Sequence, residues 1–76
     1  MNKYKIKLNT VTDVVAFVAE CSKCAGDVLA YGGRYIVSAK SLMGLYSLNL
    51  SEPIDVEFQQ EIPTMVKDSI EKYIIG

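Results

Sequence analysis

Among the 76 residues there is no histidine, no marked excess of either charge, no long apolar run and no cysteine beyond two. A zinc site normally takes four ligands, so Cys21 and Cys24 would have to borrow carboxylates or a second subunit to build one, and no metal site is expected. Eight Lys and Arg stand against nine Asp and Glu, a net charge of -1, which lacks the clustered basic excess of a nucleic-acid footprint. No segment reaches the 18 or so apolar residues of a membrane helix, and a polar strand rather than a signal peptide follows Met1, so a cytoplasmic protein without membrane insertion is expected. Nothing reads as a linker, repeat or low-complexity run. A chain this short buries only about 60% of its unfolded surface, which leaves room for one core and one domain over residues 1–76.

Half of the residues are apolar and 22% are charged, the balance of a globular chain. Residues 3–8 alternate Lys3, Lys5 and Lys7 with Tyr4, Ile6 and Leu8, the period of a strand with one wet and one buried face. From Thr10 the spacing becomes helical: Val14, Phe17, Val18 and Cys21 fall at i, i+3, i+4 and i+7, and a helix over about 11–23 is expected. Thr10 with Asp13 three residues on resembles a capping box built with the shorter acid. Cys21 continues the apolar face of that helix. The Cys21-Ser-Lys-Cys24 pair therefore reads as buried thiols, because a thioredoxin-like pair opens a helix after a strand whereas this one closes a helix.

Further along, 28–31 and 34–38 are rich in strand formers and flank Gly32-Gly33, a hairpin signal that allows positive φ at both glycines. Ile54, Val56 and Phe58 alternate with Asp55, Glu57 and Gln59 as another half-buried strand. Pro63 suits the first turn of a last helix with Val66, Ile70, Tyr73 and Ile74 inward and Lys67, Asp68, Glu71 and Lys72 outward. The order is βαββαβα. One-sided strands and one-sided helices are best satisfied in an α+β fold, with three helices on one face of an open, mostly antiparallel four-stranded sheet.

The stretch SAKSLMGLYSLNL, residues 38–50, opens on small polar residues and then turns apolar. Ser41 is placed as the N-cap of a short helix, its oxygen accepting from a free N–H one turn in. Leu42, Met43 and Tyr46 point in different directions from Leu45 and Leu48, so some of this surface is expected to stay exposed and to suit a protein partner. A phosphate on Ser41 would meet free amides and change charge without changing shape. Gly44, a poor helix former inside the first turn, implies a close backbone approach to the sheet or to a partner.

SAKSLMGLYSLNL resembles the regulatory segment of HPr, the phosphocarrier family of the bacterial sugar phosphotransferase system, and KSLMG resembles its form in Gram-positive bacteria. The resemblance extends to chain length and to the βαββαβα order, and it implies an HPr-like open-faced β-sandwich. It implies phosphorylation of Ser41 by a dedicated ATP-dependent kinase and partner contacts by Leu42, Met43 and Tyr46. The family carries phosphate on a histidine in a Gly-Leu-His-x-Arg-Pro-Ala motif. Anchored on Ala16-Phe17-Val18, the chain places Thr10 at the histidine, Thr12 at the arginine and Asp13 at the proline. A phosphoimidazole passes phosphate onward, whereas a threonine ester is stable and its hydroxyl is a weak nucleophile without a base.

The expectation is therefore a non-enzymatic, cofactor-free regulatory binding protein, similar to the Crh-type members that also lack the histidine. By resemblance its partners would be an HPr kinase or a transcriptional regulator. Two alternatives belong to other classes: a divergent phosphocarrier using Cys21 or Cys24 as a phosphothiol, and the same scaffold reused for an unrelated contact such as a homodimer through the exposed helix.

Overall fold

The computed structural model describes residues 2–76 as a single sheet covered on one face by helices. Strand β1 (Asn2–Ile6) leads into α1 (Val11–Cys21), and β2 (Val28–Gly32) and β3 (Tyr35–Ser38) form a hairpin. Then come α2 (Leu42–Tyr46), β4 (Ile54–Phe58) and α3 (Thr64–Ile70), which tightens into a 3-10 turn over Glu71–Tyr73. The strands lie in the order β1-β4-β2-β3, and every pairing is antiparallel. This is the expected α+β layout.

The register explains why one face is wet. Lys3 pairs with Glu57 and Lys5 with Asp55, so a lysine row lies beside an acidic row. Lys5 reaches Asp55 at 3.3 Å, while Lys3 stands over the Tyr31 ring at 5.1 Å. The Tyr31 hydroxyl donates to Glu57 at 2.8 Å, and that bond to the carboxylate is the main reason its pKa lies above the usual tyrosine value. Lys7 departs from the expected row: the strand ends at Ile6, and its half-buried side chain turns elsewhere.

On the opposite face Ile6, Val28, Ala30, Ile54, Val56 and Phe58 meet Val14 and Phe17 of α1, Leu45 of α2 and Val66 and Ile70 of α3. Burying each large apolar side chain contributes about 1.5–3 kcal/mol, which is what holds so short a set of helices on the sheet. Phe17 packs edge-on against Tyr73, with ring centroids 6.0 Å apart, and this contact ties α1 to the end of α3.

Three local expectations shift. The hairpin turn is Gly33-Arg34 rather than Gly32-Gly33: Gly32 pairs with Tyr35 inside the ladder, and only Gly33 has positive φ, +59°. Positive φ at the first turn residue alone is the sign pattern of a type II′ turn, one of the two whose twist matches that of the strands. Pro63 sits at the N-cap, with ψ 142°, one position outside the helical turn, which begins at Thr64. Ile74 lies outside the last helix, since the chain becomes extended there to run beside β1: Ile75 donates to the Lys5 carbonyl at 2.9 Å and the Lys5 amide donates to Gly76 at 3.0 Å. The tail thereby covers one edge of the sheet.

Candidate functional site

Two capped helix starts open α1 and α2, which are in contact. At the first, Thr10 is extended (φ -133°, ψ 164°) and its hydroxyl oxygen accepts from the Asp13 amide at 3.0 Å. The Asp13 carboxylate returns to accept from the amides of Asn9 at 3.1 Å and Thr10 at 3.3 Å. The capping box is therefore complete. The chain's own carboxylate already occupies the Asn9 and Thr10 amides, and its charge repels a second anion there.

At the second start, Ser41 is extended (φ -110°, ψ 118°) and exposed, and its Oγ accepts from the Gly44 amide at 3.0 Å. The Ser41 carbonyl accepts from Leu45 at 3.1 Å, and the Ser41 amide donates to the Ser38 carbonyl at 3.1 Å, so α2 springs directly from the end of β3. That junction explains Gly44. A Cβ there would lie 3.2 Å from the Ser38 carbonyl oxygen and 3.2 Å from the Ser41 Cβ. The close approach is to the sheet. No acid stands in the first turn of α2, in contrast to α1.

The structure divides the apolar residues of α2 and of the turn after it as their spacing implies. Leu45 and Leu48 are buried, while Leu42, Met43 and Tyr46 are exposed, Met43 at 83%. Val11 and Val15, which sequence reasoning did not single out, extend this apolar surface onto α1, Val11 at 67% exposure. The signal was present: both valines fall outside the Val14, Phe17, Val18, Cys21 stripe.

Between the two helices lies an open cleft of about 540 Å³ lined by Val11 and Val14 on one side and by Tyr46, Leu48 and Leu50 on the other. Lys7, Asn9, Thr10 and Ser51 supply its polar lining. The Lys7 ammonium donates to Asn9 Oδ1 at 3.0 Å and to the Leu50 carbonyl at 3.2 Å, joining the β1–α1 loop to the segment after α2. Thr10 and Tyr46 thus share one concavity, while Ser41 opens the other end of α2.

Cys21 and Cys24 lie away from this region, at the end of α1. Both thiols are free and buried. Burial, before the neighbouring Cys24, pushes the Cys21 thiol up to about 12, and burial likewise raises Cys24. Thiolates are the nucleophilic form, so this environment gives both sulfurs the character of packing groups rather than of phosphate carriers. Among the described residues no helix is long and apolar enough to cross a membrane. No family model matches this chain, and no curated protein matches it.

Proposed function

We propose that the protein is a cytoplasmic, non-enzymatic regulatory module of the HPr type, which binds a protein partner through α2 and is switched by phosphorylation of Ser41. The observation that carries this reading is the juxtaposition of an exposed hydroxyl, Ser41, with exposed Leu42, Met43 and Tyr46 on one short helix. Transfer of the γ-phosphoryl group of ATP to Ser41 Oγ, with ADP leaving, would add roughly two negative charges beside an apolar contact surface. The Gly44 amide already aims at Oγ from 3.0 Å, so a phosphate ester oxygen there finds a donor. Partners of the HPr-kinase or transcriptional-regulator kind follow from the likeness of SAKSLMGL to the family's regulatory segment.

A relay through position 10 is disfavoured on the same physical grounds. Asp13 holds the Asn9 and Thr10 amides. A phosphate ester on a threonine hydroxyl engaged as a cap lacks the lability of a phosphoimidazole. A second reading, the fold reused for a protein contact without phosphate, is favoured by the continuation of the apolar surface to Val11 and Val15, beyond the neighbourhood of Ser41.

Incubation with an HPr kinase and ATP, followed by intact-mass and peptide mapping, separates the two. One phosphate located at Ser41 and abolished by Ser41→Ala supports the switch. An unmodified protein, beside an HPr control that is modified, removes it and leaves the phosphate-free contact.

A further inference from the structure

We infer that the cleft between α1 and the end of α2 receives, from a protein partner, a large apolar side chain flanked by a carboxylate, with Lys7 as its ionic anchor. This rests on the reading of α2 as a docking surface and specifies the chemistry of what docks. The volume, about 540 Å³, accommodates an aromatic or branched aliphatic side chain with room for its backbone. Its walls are apolar where they are deepest: Val14 and Leu48 are buried, and Val11 and Tyr46 rise from them as exposed lips.

The charge is one-sided. Lys7 is the sole charged residue among those lining the cleft. Its ammonium meets only neutral acceptors, Asn9 Oδ1 and the Leu50 carbonyl, and it takes part in no ion pair among the described residues. An ammonium has three donors, so one stays available to an incoming carboxylate. The nearest acid in sequence, Asp13, is turned onto the Asn9 and Thr10 amides instead. A half-buried cation whose fixed partners are neutral favours an anion brought by a ligand and disfavours a cation. The cleft is open, and exposed Leu42 and Met43 stand on the same short helix as its Tyr46 wall, which fits a segment of a folded partner rather than an enclosed small molecule.

The test uses three blocked dipeptides, acetyl-Phe-Glu-amide, acetyl-Phe-Gln-amide and acetyl-Phe-Lys-amide, titrated into isotopically labelled protein and followed by amide chemical shifts. The expected result is shift changes centred on Val11, Tyr46 and Leu50, with the Glu peptide binding about fivefold more tightly than the Gln peptide and the Lys peptide weakest. Lys7→Gln should erase the preference while keeping the apolar binding, and Lys7→Arg should restore it. Raising salt from about 0.05 M to about 0.5 M should shrink the preference in the wild type. Equal binding of the three peptides, or shifts that avoid the cleft, overturns the inference. The peptides involve no phosphate, so a Ser41 that no kinase modifies would remove the switch and leave this result standing.

Discussion

The starts of α1 and α2 use the same device and leave it in opposite states. In both, a hydroxyl oxygen accepts from the amide three residues on at 3.0 Å. At Thr10 an aspartate completes the box by accepting from the Asn9 and Thr10 amides, whereas at Ser41 the third residue is a glycine pressed against the Ser38 carbonyl. One cap is closed by the chain's own charge; the other carries no acid. An N-cap is thus a structural element by default, and what surrounds it decides whether a new anion is repelled or received.

Each helix is anchored to the core by a fully buried side chain, Phe17 or Leu45, and removing either should produce the largest effects. Phe17→Ala should cost about 3–5 kcal/mol in urea unfolding and Leu45→Ala about 2–5 kcal/mol. If Leu45→Ala were nearly neutral, α2 would be loosely held and its cap geometry would lose its meaning for function.

The far end of α1 offers a pH-dependent check. Burial raises the Cys21 thiol from 9.0 to about 12, so the unfolded chain releases that proton first. The stability contributed by the neutral thiol is complete below pH 9 and is lost as the pH climbs towards about 12. Urea midpoints should therefore fall over that range in the wild type, and fall less in Cys21→Ala after allowance for its lower starting point.

The caps themselves come next. Thr10→Ala and Asp13→Ala should each destabilise by about 1 kcal/mol, and the double variant by less than their sum, since each side chain serves the other half of one box. Additive losses would break the contrast by showing two independent contacts. Ser41→Ala should cost a similar or smaller amount, about 0.5–1 kcal/mol, while Ser41→Asp, an equally good cap, should leave stability close to wild type. A large loss in Ser41→Asp would mean that the second start rejects negative charge as the first does.

Gly44→Ala should have the smallest effect. The gain of about 1 kcal/mol in helix propensity is opposed by a Cβ placed 3.2 Å from a backbone carbonyl that cannot easily move. Thermal unfolding that rises by the full propensity gain would show the junction to be roomier than the structure has it.

What could be read along the chain is what depends on neighbours within about one turn. Alternation at Ile54, Val56 and Phe58, the helical stripe at Val14, Phe17 and Cys21, and the caps at Thr10 and Ser41 are local patterns whose energies are set by residues two to four positions away. The exposure of Met43 and Tyr46 followed from the same periodicity. The hairpin turn was displaced by one residue because the two adjacent glycines left the register ambiguous, and the strand pairing Gly32 with Tyr35 resolved it.

Other features needed the folded chain. The role of Lys7 depends on the Leu50 carbonyl 43 residues away, and the extended tail depends on the Lys5 backbone at the sheet edge. Gly44 is explained only by Ser38, which the β3–α2 turn brings back against it. Amino-acid order alone determined a βαββαβα order with two hydroxyl-capped helices and no imidazole, because periodicity and capping are short-range. Tertiary structure alone decided that the Thr10 cap and the end of α2 line one cleft with Lys7 as its cation, because contacts between distant segments are selected by shared burial in a single core.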